Sequence, residues 1–361
     1  MILQSCSMTK TPPKTMLRFG KSADSLLHHK RSFFEENESL LEEGHRIARI
    51  YVEQPRRSEC KCCRAAIGPA AFTKHSIDYH ICDNCGHLNG SHEDTDEFCA
   101  TLYTGDKGRQ YAKNYASSDK EAYHRRVKDI YEPKAEFLKD ALNELGVEPQ
   151  KLSYTDLGAG SGYFVAAMRN LGWQNSVGYE VSKAQVELAQ AMIERNAVRQ
   201  HDLQEIETLA GEIECDVVSM IGVLEHLQKP RDVLRALREN RHVNYLYISV
   251  PLFSPCVIFE MIFPTVFQRQ LSAGHTHLYT ETSLQWVCKE FQMKSVAEWW
   301  FGTDMVDLFR SVSVQLERQE ATDQLKHYWA DMFGGVIDDL QYALDRKNLS
   351  SEVHLLLEFT A

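Results

Sequence analysis

The sequence predicts an α/β protein built on a mostly parallel sheet, and three features support this class. A glycine-rich turn at residues 155–162 joins an apolar run to an amphipathic run, the pattern of a strand, a tight turn and a helix start. Further apolar runs at residues 177–180 and 216–221 are each followed by a helical pattern. A last apolar run at residues 245–250 is stopped by Pro251. Strands that alternate with helices are typical of a parallel sheet, which binds ligands beyond the carboxyl ends of its strands.

Composition limits the classes of protein to consider. With 361 residues and 43% hydrophobic content, the chain is long enough for a core and one accessory module. It has neither a run of eighteen apolar residues nor a basic and then apolar leader, so we expect a cytoplasmic protein without a membrane span. The net charge of −11 disfavours a nucleic-acid partner, because phosphate backbones bind basic surfaces.

The spacing of the glycine turn narrows the choice of ligand. Gly158, Gly160 and Gly162 alternate, whereas a dinucleotide site has the spacing G-x-G-x-x-G. This difference argues against a nicotinamide cofactor. Asp156 enters the turn and Glu180 closes the next strand, where a carboxylate can accept both hydroxyls of a ribose.

The turn and the order of strands after it resemble the class I S-adenosylmethionine-dependent methyltransferases over residues 151–251. The resemblance implies a Rossmann-like core with a mostly parallel seven-stranded sheet of order 3-2-1-4-5-7-6, whose final two strands form an antiparallel edge. It also implies an adenine contact for Asp202. The cofactor-binding residues expected on this basis are Asp156, Gly158, Ala159, Gly160, Gly162, Glu180, Val181, Asp202, Leu203, Ile221 and Tyr115.

Catalytic candidates follow the fourth strand. Methyl transfer to a protonated acceptor needs a base, and histidine titrates near neutrality. We expect His226 to be the general base and Glu225 to position it or the substrate. The alternative is that His226 only caps a helix.

A second pair of histidines lies in an apolar insertion at about residues 252–278. His275 and His277 share a face of an extended chain and are second candidates for catalysis or substrate contact. The sequence offers them no nearby third metal ligand. The insertion is expected to be a lid over the substrate pocket, and a peripheral membrane or partner contact is the alternative.

Four cysteines predict a metal site ahead of the core. Cys60, Cys63, Cys82 and Cys85 have the spacing C-x2-C-x18-C-x2-C, typical of a zinc ribbon. A closed site of four thiolates is structural. Disulfides are the alternative, and Cys62, His80 and His87 are alternative ligands.

We divide the chain into an N-terminal arm and helix (1–54), a zinc-binding module (55–100), a helical connector over the cofactor site (101–150) and the core (151–361). The first thirty residues are expected to be irregular, and the core carries a helical insertion at about 303–347. In the connector, Tyr111 and Tyr115 are candidates for cofactor contact or for packing between modules.

A four-cysteine module ahead of such a core, with Glu225 and His226, resembles the sugar C-methyltransferases and the methyltransferases of polysaccharide pathways. This similarity implies a small acceptor such as a nucleotide-linked sugar, methylated on oxygen or carbon. The alternatives are an O-methyltransferase of another metabolite, an RNA methyltransferase, and a cofactor-binding protein without turnover.

Overall fold

The computed structural model describes residues 15–24, 27, 35–103, 119–272 and 274–360. Two sheets organise them, one of eight strands and one of four. Within these ranges, none of the helices has the length and apolar character needed to cross a membrane.

Twelve strands make up the two sheets. In chain order they are β1 Met16–Phe19, β2 Phe72–Lys74, β3 Ile77–Ile81, β4 Leu88–Gly90, β5 Tyr154–Leu157, β6 Ser176–Glu180, β7 Val198–Gln200, β8 Val217–Ile221, β9 Tyr245–Pro251, β10 His277–Leu278, β11 Met293–Phe301 and β12 Glu352–Phe359. The large sheet has the order β1-β11-β12-β9-β8-β5-β6-β7. Strand β12 is antiparallel to both β9 and β11, and the other neighbours are parallel. This is a mostly parallel, Rossmann-like sheet.

The large sheet has eight strands rather than the expected seven, because part of the N-terminal arm joins it. Residues 16–19 pair in parallel with residues 297–300 of β11. The indole N–H of Trp299 donates to the Gly20 carbonyl at 2.9 Å and holds the end of the added strand. The expectation of an irregular arm is therefore wrong for residues 16–19. A four-residue edge strand is stabilised by its partner, so local composition carries little signal for it.

Helices cover both faces of the large sheet and form the insertions. In chain order the α-helices described are α1 Asn37–Tyr51, α2 Asp96–Tyr103, α3 Lys120–Arg126, α4 Glu132–Glu144, α5 Tyr163–Asn170, α6 Lys183–Met192, α7 Ile206–Glu212, α8 Pro230–Glu239, α9 Pro255–Ile262, α10 Glu281–Glu290, α11 Asp304–Arg318, α12 Asp323–Gly334 and α13 Ile337–Asp345. A π-helical turn at Val127–Tyr131 joins α3 to α4. The expected insertion at 303–347 consists of α11, α12 and α13.

The small sheet joins the cysteine module to the core. Strands β2, β3 and β4 belong to the module, whereas β10 comes from the insertion at 252–278. His277 pairs with Asn89, and the Gly90 N–H donates to the Thr276 carbonyl at 2.8 Å. The insertion is thus fastened to the module through backbone hydrogen bonds.

We predict that Gly90→Ala weakens this joint. A Cβ at Gly90 would lie 2.7 Å from the Thr276 carbonyl oxygen and 2.8 Å from the Tyr51 hydroxyl. Overpacking of this kind should lower the free energy of unfolding by about 1–3 kcal/mol. Gly44→Ala is the control: its Cβ meets only Gln268, at 4.0 Å, and alanine inside a helix is favoured by about 0.5–1 kcal/mol. Denaturant unfolding compares the two variants, and equal stabilities would contradict the prediction.

Candidate active site

The glycine turn follows β5 and begins α5. Gly158, Gly160 and Gly162 all have positive φ, at +71°, +53° and +75°. A Cβ at Gly158 would lie 2.6 Å from Val223, and one at Gly162 would lie 2.8 Å from Ile193. Glycine is therefore required both by the backbone conformation and by the close approach of neighbouring side chains.

Two buried carboxyl groups support the turn. The Ser219 hydroxyl donates to Asp156 Oδ1 at 2.7 Å, and burial raises the pKa of Asp156 to about 7. Glu180 accepts the N–H of Gly160 at 2.9 Å on one oxygen and that of Ser182 at 2.8 Å on the other. Glu180 thus holds the turn as well as standing at the end of β6.

A cavity of about 290 Å³ opens beside the turn. Among the expected site residues, those that line it are Asp156, Gly158, Ala159, Gly160, Ile221, Glu225, His226 and His275. Those that do not line it are Gly162, Glu180, Val181, Asp202, Leu203 and His277. Asp202 is exposed, and its N–H donates to Glu205 at 3.4 Å at the start of a short 3₁₀ helix. Tyr111 and Tyr115 lie outside the described residues.

His226 enters the cavity from the 3₁₀ turn Leu224–His226 that follows β8. Its Nδ1 lies 3.0 Å from the Gly274 carbonyl oxygen and 3.0 Å from the Tyr103 hydroxyl. Its Nε2 lies 3.9 Å from Glu225 Oε1. Burial lowers the pKa of His226 to about 4 and raises the pKa of Glu225 to about 8.

The structure separates the two histidines of the insertion. His275 lines the cavity, and the centre of its ring lies 5.0 Å from that of His226. His277 is buried in β10, where its Nδ1 lies 2.8 Å from Nε2 of His87. The expectation that both line one pocket fails because His277 belongs to a strand that pairs with the cysteine module.

Several cavity residues were not expected from the sequence, and two oppositely charged pairs stand out. Lys134 Nζ lies 3.5 Å from Glu352 Oε1, and Arg269 Nε lies 2.9 Å from Asp307. Glu352 begins β12, which runs antiparallel to β9, so its first residue reaches the edge where the parallel strands end. That geometric rule would have found Glu352, whereas Lys134 and Arg269 come from a helix and a loop that carry no motif.

The four predicted cysteine ligands come together in the module. Sγ of Cys60 lies 3.7 Å from that of Cys85, and Sγ of Cys63 lies 3.5 Å from that of Cys82. All four sulfur atoms lie within 4.8 Å of one another. Zinc–sulfur bonds of about 2.3 Å give tetrahedral sulfur separations near 3.8 Å, so the cluster suits such an ion.

Both cysteine pairs have the same local backbone geometry. The Arg64 N–H donates to the Cys60 carbonyl at 2.8 Å, and the Gly86 N–H donates to the Cys82 carbonyl at 2.8 Å. Arg64 and Gly86, which follow the second cysteine of each pair, both have positive φ. The two halves are therefore equivalent knuckles that face each other.

The alternative ligands lie outside this group of four and make other contacts. Cys62 Sγ lies 3.8 Å from the Ser283 carbonyl oxygen, and His80 Nδ1 lies 2.9 Å from that of Gly68. His87 faces His277. The cysteines that the structure describes are all free thiols, which does not favour the disulfide alternative.

The cavity lies at the carboxyl ends of the parallel strands, where open α/β sheets bind their ligands. Residues 124–298 match a family model described as a methyltransferase domain. The chain is an S-adenosylmethionine-dependent methyltransferase. No curated protein sequence matches it.

Solved structures with a similar fold include three methyltransferases. The magnesium protoporphyrin IX methyltransferase from Synechocystis PCC 6803, with bound SAH, is 10% identical, with 74% of this chain and 100% of that chain covered and a TM-score of 0.44. The plantazolicin methyltransferase BpumL, also with SAH, is 11% identical, with 73% and 94% covered and a TM-score of 0.43. A SAM-dependent methyltransferase from Archaeoglobus fulgidus is 15% identical, with 62% and 94% covered and a TM-score of 0.36.

We predict that Gly158→Ala lowers the affinity for S-adenosylhomocysteine at least about tenfold, because the new Cβ must displace Val223 beside the cavity. Gly146→Ala is a matched control, since its φ is +73° and a Cβ there has no described neighbour within 4 Å. Both variants bear the cost of a left-handed alanine, about 1–2 kcal/mol. Calorimetric titration measures the affinities; equal affinity in both variants would contradict a role for this turn in cofactor binding.

We predict that Cys82→Ser removes a bound zinc ion and markedly lowers the melting temperature, since closed zinc sites contribute directly to folding. Cys62→Ser is the control, because its sulfur lies against the Ser283 carbonyl. Metal content and thermal unfolding are measured on both. Retention of zinc by Cys82→Ser would exclude Cys82 from the ligand set.

Proposed function

We propose that the enzyme methylates a small, polar, sugar-like acceptor and that His226 is the general base. The observation that carries the proposal is the position of His226 in the same cavity as the glycine turn. A base in that position can reach an acceptor that lies against the cofactor.

The hydrogen bonds of His226 support its role. A carbonyl oxygen only accepts hydrogen bonds, so the contact with Gly274 assigns the proton of the neutral ring to Nδ1. Nε2 then carries the lone pair. A fixed ring with an available lone pair is what proton removal requires.

The chemical character of the cavity supports a hydroxyl-rich acceptor. Ser249, Gln270 and Ser351 contribute neutral polar groups to its wall. The cations Lys134 and Arg269 are each paired with a carboxylate. Such a wall suits several hydroxyl groups better than a chain of phosphates, and the net charge of −11 also disfavours nucleic acid.

The cofactor is assigned to the glycine turn, with Asp156 and Glu180 beside it. When bound, S-adenosylmethionine supplies a methyl group on a positively charged sulfur. The residues of the cavity align the acceptor atom with that group and exclude water. His226 Nε2 would take the acceptor's proton, so that the acceptor atom could receive the methyl group.

The four-cysteine site is assigned to structural zinc. Four thiolates fill a tetrahedral ion and leave no position for substrate. The sulfur atoms face one another, with Cys60 and Cys85 at 3.7 Å and Cys63 and Cys82 at 3.5 Å. The module carries the strand that pairs with β10, so the ion would stabilise the segment that holds His226.

The test of the function is an assay with S-adenosylmethionine and a panel of nucleotide-linked sugars. The acceptor's mass should rise by one methyl group, with release of S-adenosylhomocysteine. Methylation of an RNA instead, steeply weakened by salt, would replace the sugar by a nucleic-acid acceptor. Cofactor binding without turnover on any sugar would refute the acceptor class.

We predict that His226→Ala lowers kcat by about 10²–10⁴-fold while the affinity for S-adenosylhomocysteine changes little, because the base acts on the acceptor. His327→Ala is the control, since His327 is exposed on α12 in the helical insertion. Steady-state kinetics and calorimetry give the two quantities. An unchanged kcat in His226→Ala would refute the assignment of the base.

A further inference from the structure

Three side chains that can bind a metal ion converge at one point of the cavity. Ligand atoms of Glu225, His226 and His275 all lie within 4.8 Å of one another. Glu225 and His226 are neighbours on a short turn, whereas His275 is remote from them in the sequence. No spacing motif therefore predicts the group. Two imidazoles and one carboxylate are the ligand set of many mononuclear zinc and iron(II) sites.

Both rings are held in the orientation that metal ligands need. Nδ1 of His226 lies 3.0 Å from the Gly274 carbonyl oxygen, and Nδ1 of His275 lies 2.8 Å from that of Gln270. Since carbonyl oxygens only accept, each neutral ring carries its proton on Nδ1 and its lone pair on Nε2. Histidines that bind a metal commonly donate their other N–H to a backbone carbonyl in this way.

Glu225 supplies an independent observation. Its side chain is 3% exposed, and its Oε2 has no hydrogen-bond partner among the described residues. Its Oε1 lies 3.9 Å from His226 Nε2, which is too long for a hydrogen bond. A buried carboxyl oxygen without a partner is costly, and a cation between the three groups, bound in place of the carboxyl proton, would satisfy it.

We propose that Glu225, His226 and His275 form a second metal site, for a divalent transition-metal ion such as Zn²⁺, distinct from the four-cysteine site. The ligand atoms must move closer together when the ion binds. Zinc ligands at about 2.0–2.2 Å in tetrahedral geometry lie roughly 3.3–3.6 Å apart, so a pair near the 4.8 Å limit must close by roughly 1.4 Å.

The site has a regulatory consequence that rests on the proposed function. A metal ion on Nε2 of His226 occupies the lone pair that would accept the acceptor's proton. The metal-bound enzyme and the enzyme with an active base are therefore exclusive states. Zn²⁺ at ten times its Kd should lower the initial rate about tenfold, because about one enzyme in eleven then remains free of it.

The test is a titration of the purified protein with Co²⁺. The four-cysteine site is loaded with Co²⁺ first, and further Co²⁺ is then added. Thiolate ligands produce an intense sulfur-to-metal charge-transfer band, whereas histidine and carboxylate ligands produce only weak d–d bands. We expect a second Co²⁺ with d–d bands alone. The second Co²⁺ should be lost in His275→Ala and Glu225→Gln. It should be kept in His201→Ala, because His201 directly follows β7 and does not line the cavity.

The outcomes separate the two proposals. A thiolate spectrum that persists in the variants shows that the module is folded, so loss of the second ion then reports the site itself. Absence of a second Co²⁺ in the wild-type protein, with methyl transfer that depends on His226, would overturn the metal site alone. A second Co²⁺ without methyl transfer to any sugar would leave the metal site standing and refute the proposed function.

Discussion

The antiparallel pairing of β10 with β4 is the interaction on which the candidate site depends. Within the five residues 274–278, the Gly274 carbonyl holds His226, His275 lines the cavity, and the Thr276 carbonyl accepts the Gly90 N–H. His277 and Leu278 complete the pairing with the cysteine module. One short segment thus connects the module to the cavity through backbone hydrogen bonds.

This connection gives the cysteine module a physical route to the cavity. Strand β4 follows the second cysteine knuckle directly, and Asn89 donates to Cys60 Sγ at 3.5 Å while it pairs with His277. A metal ion that stiffens the knuckles would also stiffen this pairing. Side chains that contact an ion are oriented by such neighbours.

The cavity is an environment in which protonation states follow from burial. Burial lowers the pKa of His226 to about 4 and raises the pKa of Glu225 to about 8, since each charged form loses its hydration. The carboxylate of Glu352 keeps its charge because Lys134, 3.5 Å away, is its partner. A side chain in this cavity is therefore charged where an oppositely charged side chain lies beside it.

Sequence alone determined the features that depend on residues close together in the chain. The glycine turn and the cysteine knuckles are local, because each needs a particular backbone conformation at fixed spacing. The strand limits of the core, such as Glu352–Phe359, follow from apolar runs. The α/β class and the position of Glu225 and His226 after the fourth strand belong to the same group.

Only the tertiary structure decided which distant groups meet. It brought His275 to His226 and took His277 away, because β10 pairs with the module rather than continuing the wall of the cavity. It added β1 to the large sheet and placed Glu352 in the lining of the cavity. Such contacts depend on pairing partners that are remote in the chain, and periodicity within a short window carries no information about them.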